Sequence, residues 1–221
     1  MSRHPAIPYV VPFAVFLAFL ALDRVLPFSP VVVFTLRFVT VLATLIFVSR
    51  HVIPTRVNQF WLSVILGVAV FAIWIGPDVL WPNYRRHWLF TNSIMGAPKS
   101  SIDPLMKLSP FFILMRVLSS VVNVPILEEL FWRGWLMRWL IDKNFLKVPL
   151  GAYTPYAFWM VALLFASEHG SYWDVGLVTG VIYNWWIIKT RNLANCILTH
   201  AVTNACLAIY VVARDQWQYW I

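Results

Sequence analysis

Glu128, Glu129 and Arg133 stand together in the run VVNVPILEELFWRGWLMRWL, residues 121–140, where almost every neighbour is apolar. Farther along, FASEH ends on His169, and HAVTN carries His200 and Asn204. A carboxylate, two imidazoles and a carboxamide are the parts of a water-dependent hydrolytic site. The carboxylate takes a proton from water. One imidazole holds or shares that proton. N–H donors from a histidine and an asparagine stabilise the oxyanion that forms on the attacked carbonyl. Each residue has a plainer reading as well. Glu and Arg four apart make surface ion pairs on soluble helices. A histidine at a helix end is often a cap, and polar side chains in membrane helices act as glue.

Spacing sorts the roles. On a helix Glu129 and Arg133 share a face, whereas Glu128 lies about 100° around it. One carboxylate is therefore expected to pair with the guanidinium, leaving Glu128 free as the base. His200 and Asn204 are also four apart and share a face. Glu168 precedes His169, where it either orients the imidazole or points to water. Gly170 follows and is expected to end or kink that helix. Cys196 and Cys206 are separated by about 15 Å on one helix, too far for a disulfide.

These residues must be held by elements at home in a bilayer. Of the 221 residues 61% are hydrophobic and only 12% charged, with a mean hydropathy of +0.73. A soluble domain carries about 25% charged residues, so too few polar residues are present to cover one. Apolar runs near the ~20 residues a span needs lie at about residues 8–28, 30–49, 60–80, 109–137, 154–170, 172–189 and 193–213. The expectation is an all-α, polytopic transmembrane bundle of about seven to eight spans, the uncertainty in number being Pro125, which could split the fourth run. The N-terminal run lacks a small-residue cleavage site and reads as a first span rather than a signal peptide. Residues 82–108 read as a loop with an interfacial piece. No linker or repeat divides the chain, so residues 1–221 read as one membrane domain with a catalytic core near 109–213.

The net charge of +8 does not indicate nucleic acid. Its cations border the apolar runs, as in Arg50, Arg85, Arg86, Lys189 and Arg191, and the thirteen Trp suit the headgroup region. The partners are then the lipid bilayer and a membrane-associated protein or peptide. With Arg3, Arg50, Arg56, Arg138, Lys143, Lys147, Lys189 and Arg191 on one side against Arg24, Arg85, Arg86, Lys99, Lys107 and Arg214 on the other, the positive-inside bias weakly places the N-terminus in the cytoplasm. Arg37 and Arg116, inside apolar runs, are expected to snorkel or pair. His4, His51 and His87 read as interfacial, and Asp78 as a helix-end residue. Gly176 and Gly180 form a small-xxx-small pattern that reads as ordinary helix packing.

In order, EExxxR, FxxxH and HxxxN, all in spans, resemble the CPBP family of CAAX prenyl proteases and bacteriocin-processing (Abi) enzymes. The size and the early Trp- and Pro-rich part are similar to its exosortase-associated bacterial branch. The resemblance implies an intramembrane glutamic endopeptidase without metal or other cofactor, in a bacterial cytoplasmic membrane. By it Glu128 activates water with His169, and His200 and Asn204 form the oxyanion site. Glu129 and Arg133 organise the site, and Phe165 packs its wall. Other readings stay open on the residues themselves. Glu, His and His are also zinc ligands, although HExxH is absent. A transporter would use Glu128 and His169 as a proton relay, and a silent scaffold would use neither. Substrate and oligomeric state are not written in the sequence.

Overall fold

A computed structural model describes residues 4–23, 25–93, 96–97, 100 and 102–220. Arg3, Arg24 and Lys99, which entered the charge count, lie outside them. Among the described residues the architecture is helical, without a β-strand. The helices are α1 (Ile7–Leu22), α2 (Pro30–Ser49), α3 (Phe60–Leu80), a single turn α4 (Pro104–Lys107), α5 (Pro110–Trp139), α6 (Pro155–Ser167), α7 (Trp173–Thr190) and α8 (Leu193–Arg214).

Among the described residues α2, α3, α5 and α8 are long and apolar enough to cross a membrane. Their outward faces are greasy: Phe47 and Trp61 are 79% and 74% exposed. The protein is a membrane protein. Two expected spans come out short. With 16 and 13 residues, α1 and α6 reach about 24 and 20 Å, less than the ~30 Å hydrocarbon core. α6 starts at a Thr154 cap, whose hydroxyl accepts from the Ala157 N–H, followed by Pro155. It stops where Gly170 takes a left-handed φ of 49°, so the helix ends within the bundle as the glycine suggested.

Pro125 does not split the fourth run. α5 is continuous for 30 residues because a π turn at Ser119–Asn123 precedes the proline. There the bonds skip five residues rather than four, which spreads the carbonyls against which a proline ring would clash. A second π turn, Leu130–Leu136, contains Arg133.

Two apolar clusters lock the bundle. One gathers Phe13, Val41, Val70, Leu127, Leu130, Phe165 and Tyr183. The other gathers Phe34, Trp74, Phe112, Tyr172, Tyr219 and Trp220. Asp78 does more than end α3. It pairs with buried Arg85 at 3.1 Å, and Arg85 reaches Asp174 at 2.5 Å. Tyr84 also donates to Asp174. Burial first, then the Asp174 charge, hold the Tyr84 phenol above its ordinary value. Arg37 does not snorkel: it is buried, with its guanidinium 4.7 Å from the Phe34 ring. His4, His51 and His87 are exposed.

Candidate active site

α3, α5, α6, α7, α8 and the residues that follow α8 line a cavity of about 200 Å³. Glu128, His169, His200 and Asn204 all line it, and so does Phe165. Residues 116, 120, 124 and 128 of α5 line it in one row. A pure α-helix would let such a row drift by about 40° per step. The π turn at Ser119–Asn123 takes up more residues per turn and offsets that drift.

Behind the cavity is a buried ion network. Arg133 Nη1 donates to Glu129 Oε1 at 3.1 Å. His200 Nδ1 meets the same oxygen at 3.0 Å. The pair expected from spacing is present, and it also orients an imidazole from α8. Glu128 stands apart from this network. Its Oε2 is buried without a hydrogen-bond partner among the described residues.

His169 Nδ1 lies 2.7 Å from the Phe165 carbonyl. A carbonyl can only accept, so Nδ1 carries the hydrogen and, in the neutral ring, Nε2 is an acceptor. That carbonyl belongs to the last turn of α6, where backbone acceptors lack intrahelical partners. His169 is thus a cap and a cavity residue at once. Asn204 Nδ2 donates to Ser120 O at 2.7 Å, spending one of its two amide hydrogens. Because α6 ends at Ser167, His169 and His200 line the same cavity. Among the described residues no three His, Cys, Asp or Glu side chains converge as metal ligands, and Glu168 is exposed.

Residues 110–206 match the family described as type II CAAX prenyl endopeptidase Rce1-like. The segment is similar to the domain of that family. It spans somewhat less than half of the 221 residues and holds every motif residue, which agrees with the CPBP resemblance read from them. No curated protein and no solved structure matches the chain.

The site also uses residues that the motifs do not name. Asn184 Oδ1 accepts from Arg133 Nε at 2.9 Å, while its Nδ2 donates to Phe158 O at 2.8 Å. Arg133 lies 4.7 Å from the Phe165 ring and 5.5 Å from that of Tyr183. Tyr183 donates to Thr203 at 2.9 Å. Gly176 lies against His169: a Cβ there would stand 3.1 Å from Nδ1. Gly180 is ordinary packing, against Ala162 and Phe165. The signal for Asn184 and Tyr183 was their polarity inside an apolar run. For Gly176 the spacing was visible, but its neighbour was not.

Proposed function

We propose that the chain is an intramembrane glutamic endopeptidase that hydrolyses a peptide bond of a membrane-associated protein or peptide without a metal. The observation that carries this is Glu128, whose unpaired carboxylate oxygen is buried at the cavity that His169, His200 and Asn204 also line. Water binds between Glu128 and His169 Nε2. Glu128 takes one proton, and the hydroxide adds to the peptide carbonyl carbon. His200, held at Nδ1 by Glu129, and the second Asn204 amide hydrogen stabilise the new oxyanion. Glu128 then passes its proton to the leaving nitrogen as the C–N bond breaks, giving a carboxylic acid and an amine. Arg133 keeps Glu129 in place for His200. The family match favours this over the transporter, and no observation supports a scaffold.

The test compares the termini of membrane and secreted proteins from cells holding wild type or Glu128→Gln at matched levels. Cleavages that appear only with wild type are expected. General-base loss lowers rates by about 10²–10⁴-fold. Full cleavage by Glu128→Gln would sink the proposal.

A further inference from the structure

The chain does not leave the bundle at the end of α8. Asp215 takes a left-handed φ of 55°, and the Gln216 N–H reaches back to Val211 O at 3.0 Å, which closes the helix and reverses the chain. The Trp217 indole N–H donates to the Asp215 carboxylate and holds that turn. The next residues return to the cavity. Tyr219 and Trp220 are buried and line it together with Trp74, Arg116 and Leu207. Two hydrogen bonds tie the segment down: Tyr219 OH to Asp78 Oδ2 at 2.9 Å, and Tyr172 OH to Gln218 O at 3.3 Å. Burial, then the Asp78 charge, hold the Tyr219 phenol above its ordinary value, so it stays a donor.

The position of this wall follows from the helix registers. His200 of α8 meets Glu129 of α5, and Asn204 meets Ser120. Advancing along α8 therefore means moving back along α5, from Glu128 toward Arg116. Arg116 lies 5.8 Å from the Trp220 ring, so Trp220 closes the end remote from Glu128. Twelve residues of helix separate the two ends, about 18 Å, the reach of about five extended residues. On the far side of the segment, Gln218 and Tyr172 line a more open, polar recess with Asp78 and Arg85.

We propose that Tyr219 and Trp220 are specificity-determining residues: they form the end wall of the substrate cavity and limit the size of the apolar side chain that fits there, within about five residues of the cut. The inference rests on the endopeptidase reading and adds to it the part of the substrate that is measured. The wall residues Tyr219 and Trp220 are both aromatic, and Trp74, which also lines the cavity, lies against His169 with ring centroids 5.1 Å apart, so an apolar group is the chemistry that the wall accepts.

Full-length wild type, Glu128→Gln, Trp220→Ala and Trp220→Phe are expressed at matched levels and the protein termini sequenced. With Trp220→Ala, new Glu128-dependent termini are expected that carry larger apolar residues at one fixed distance from the cut. Their enrichment over wild type should be about tenfold, since a single group in an apolar pocket discriminates by about 10–200-fold. Cleavage with the wild-type side-chain preference overturns the inference while leaving the endopeptidase intact. So does loss of all cleavage by a variant that melts like wild type. If Trp220→Ala is not recovered folded, Trp220→Phe, which trims the wall by one ring, decides by the same readout. Identical termini from wild type and Glu128→Gln would instead remove the peptidase reading and this inference with it.

Discussion

Glu129 bonds both Arg133 and His200 through one oxygen, so its charge carries two duties. Arg133→Met leaves the carboxylate buried with only the imidazole, and removing one partner of a buried pair costs about 3–5 kcal/mol. Replacing both partners, as in Glu129→Gln with Arg133→Met, is expected to restore most of that stability. It should not restore cleavage, because His200 has lost the carboxylate that orients it. Thermal melting in detergent and cleavage of a peptide identified from the termini separate the two effects. A double variant that cleaves at the wild-type rate would show that Glu129 serves stability alone. The Glu129–Arg133 pair was legible because it is local, four residues on one helix. The His200 contact, 71 residues away, depends on which helices become neighbours, and spacing does not carry that.

Elements decide whether these side chains meet. α6 ends three residues before Gly170, and α7 presents Gly176 to the imidazole that results. Gly176→Ala therefore has two opposed consequences. Alanine favours the helix by about 0.8–1.0 kcal/mol, while its Cβ, 3.1 Å from His169 Nδ1, pushes the ring by a fraction of an ångström. A misplacement of 1 Å costs about 10²-fold in rate, so a loss of several-fold up to that bound is expected, without a fall in melting temperature. Gly76→Ala is the control, since nothing lies within 4 Å of its Cβ, and it should leave the rate unchanged. Unchanged cleavage by Gly176→Ala would mean that His169 has room to spare. The early end of α6 could be read from Gly170. The π turns of α5 could not, because neither hydropathy nor Pro125 distinguishes a kinked helix from one that widens by a residue and continues.

At the scale of the whole molecule, the motif-free first half contributes through α3, which packs extensively against α8. Gly67 makes that approach possible. A Cβ there would lie 2.7 Å from the Thr199 carbonyl and from Val202 Cβ. Thr203 adds a polar tie: its hydroxyl lies 3.0 Å from Gly67 O while accepting from Tyr183. The sequence offered no hint of this, since a lone glycine in an apolar run has no visible partner, and the chemistry-bearing motifs all lie after residue 109. Gly67→Ala meets backbone, which cannot rotate away, so α3 and α8 must separate. Overpacking of this kind costs about 1–3 kcal/mol, more than the helix propensity gained. A lower melting temperature is expected. Reduced cleavage should accompany it, because Trp74 of α3 and Thr203 of α8 line the cavity, as does Tyr183 of α7, which bonds Thr203. A variant that melts and cleaves like wild type would show that α3 is only a lipid-facing neighbour. The combined loss would show that the first half of the chain holds the cavity in shape, although it supplies none of the groups proposed to react.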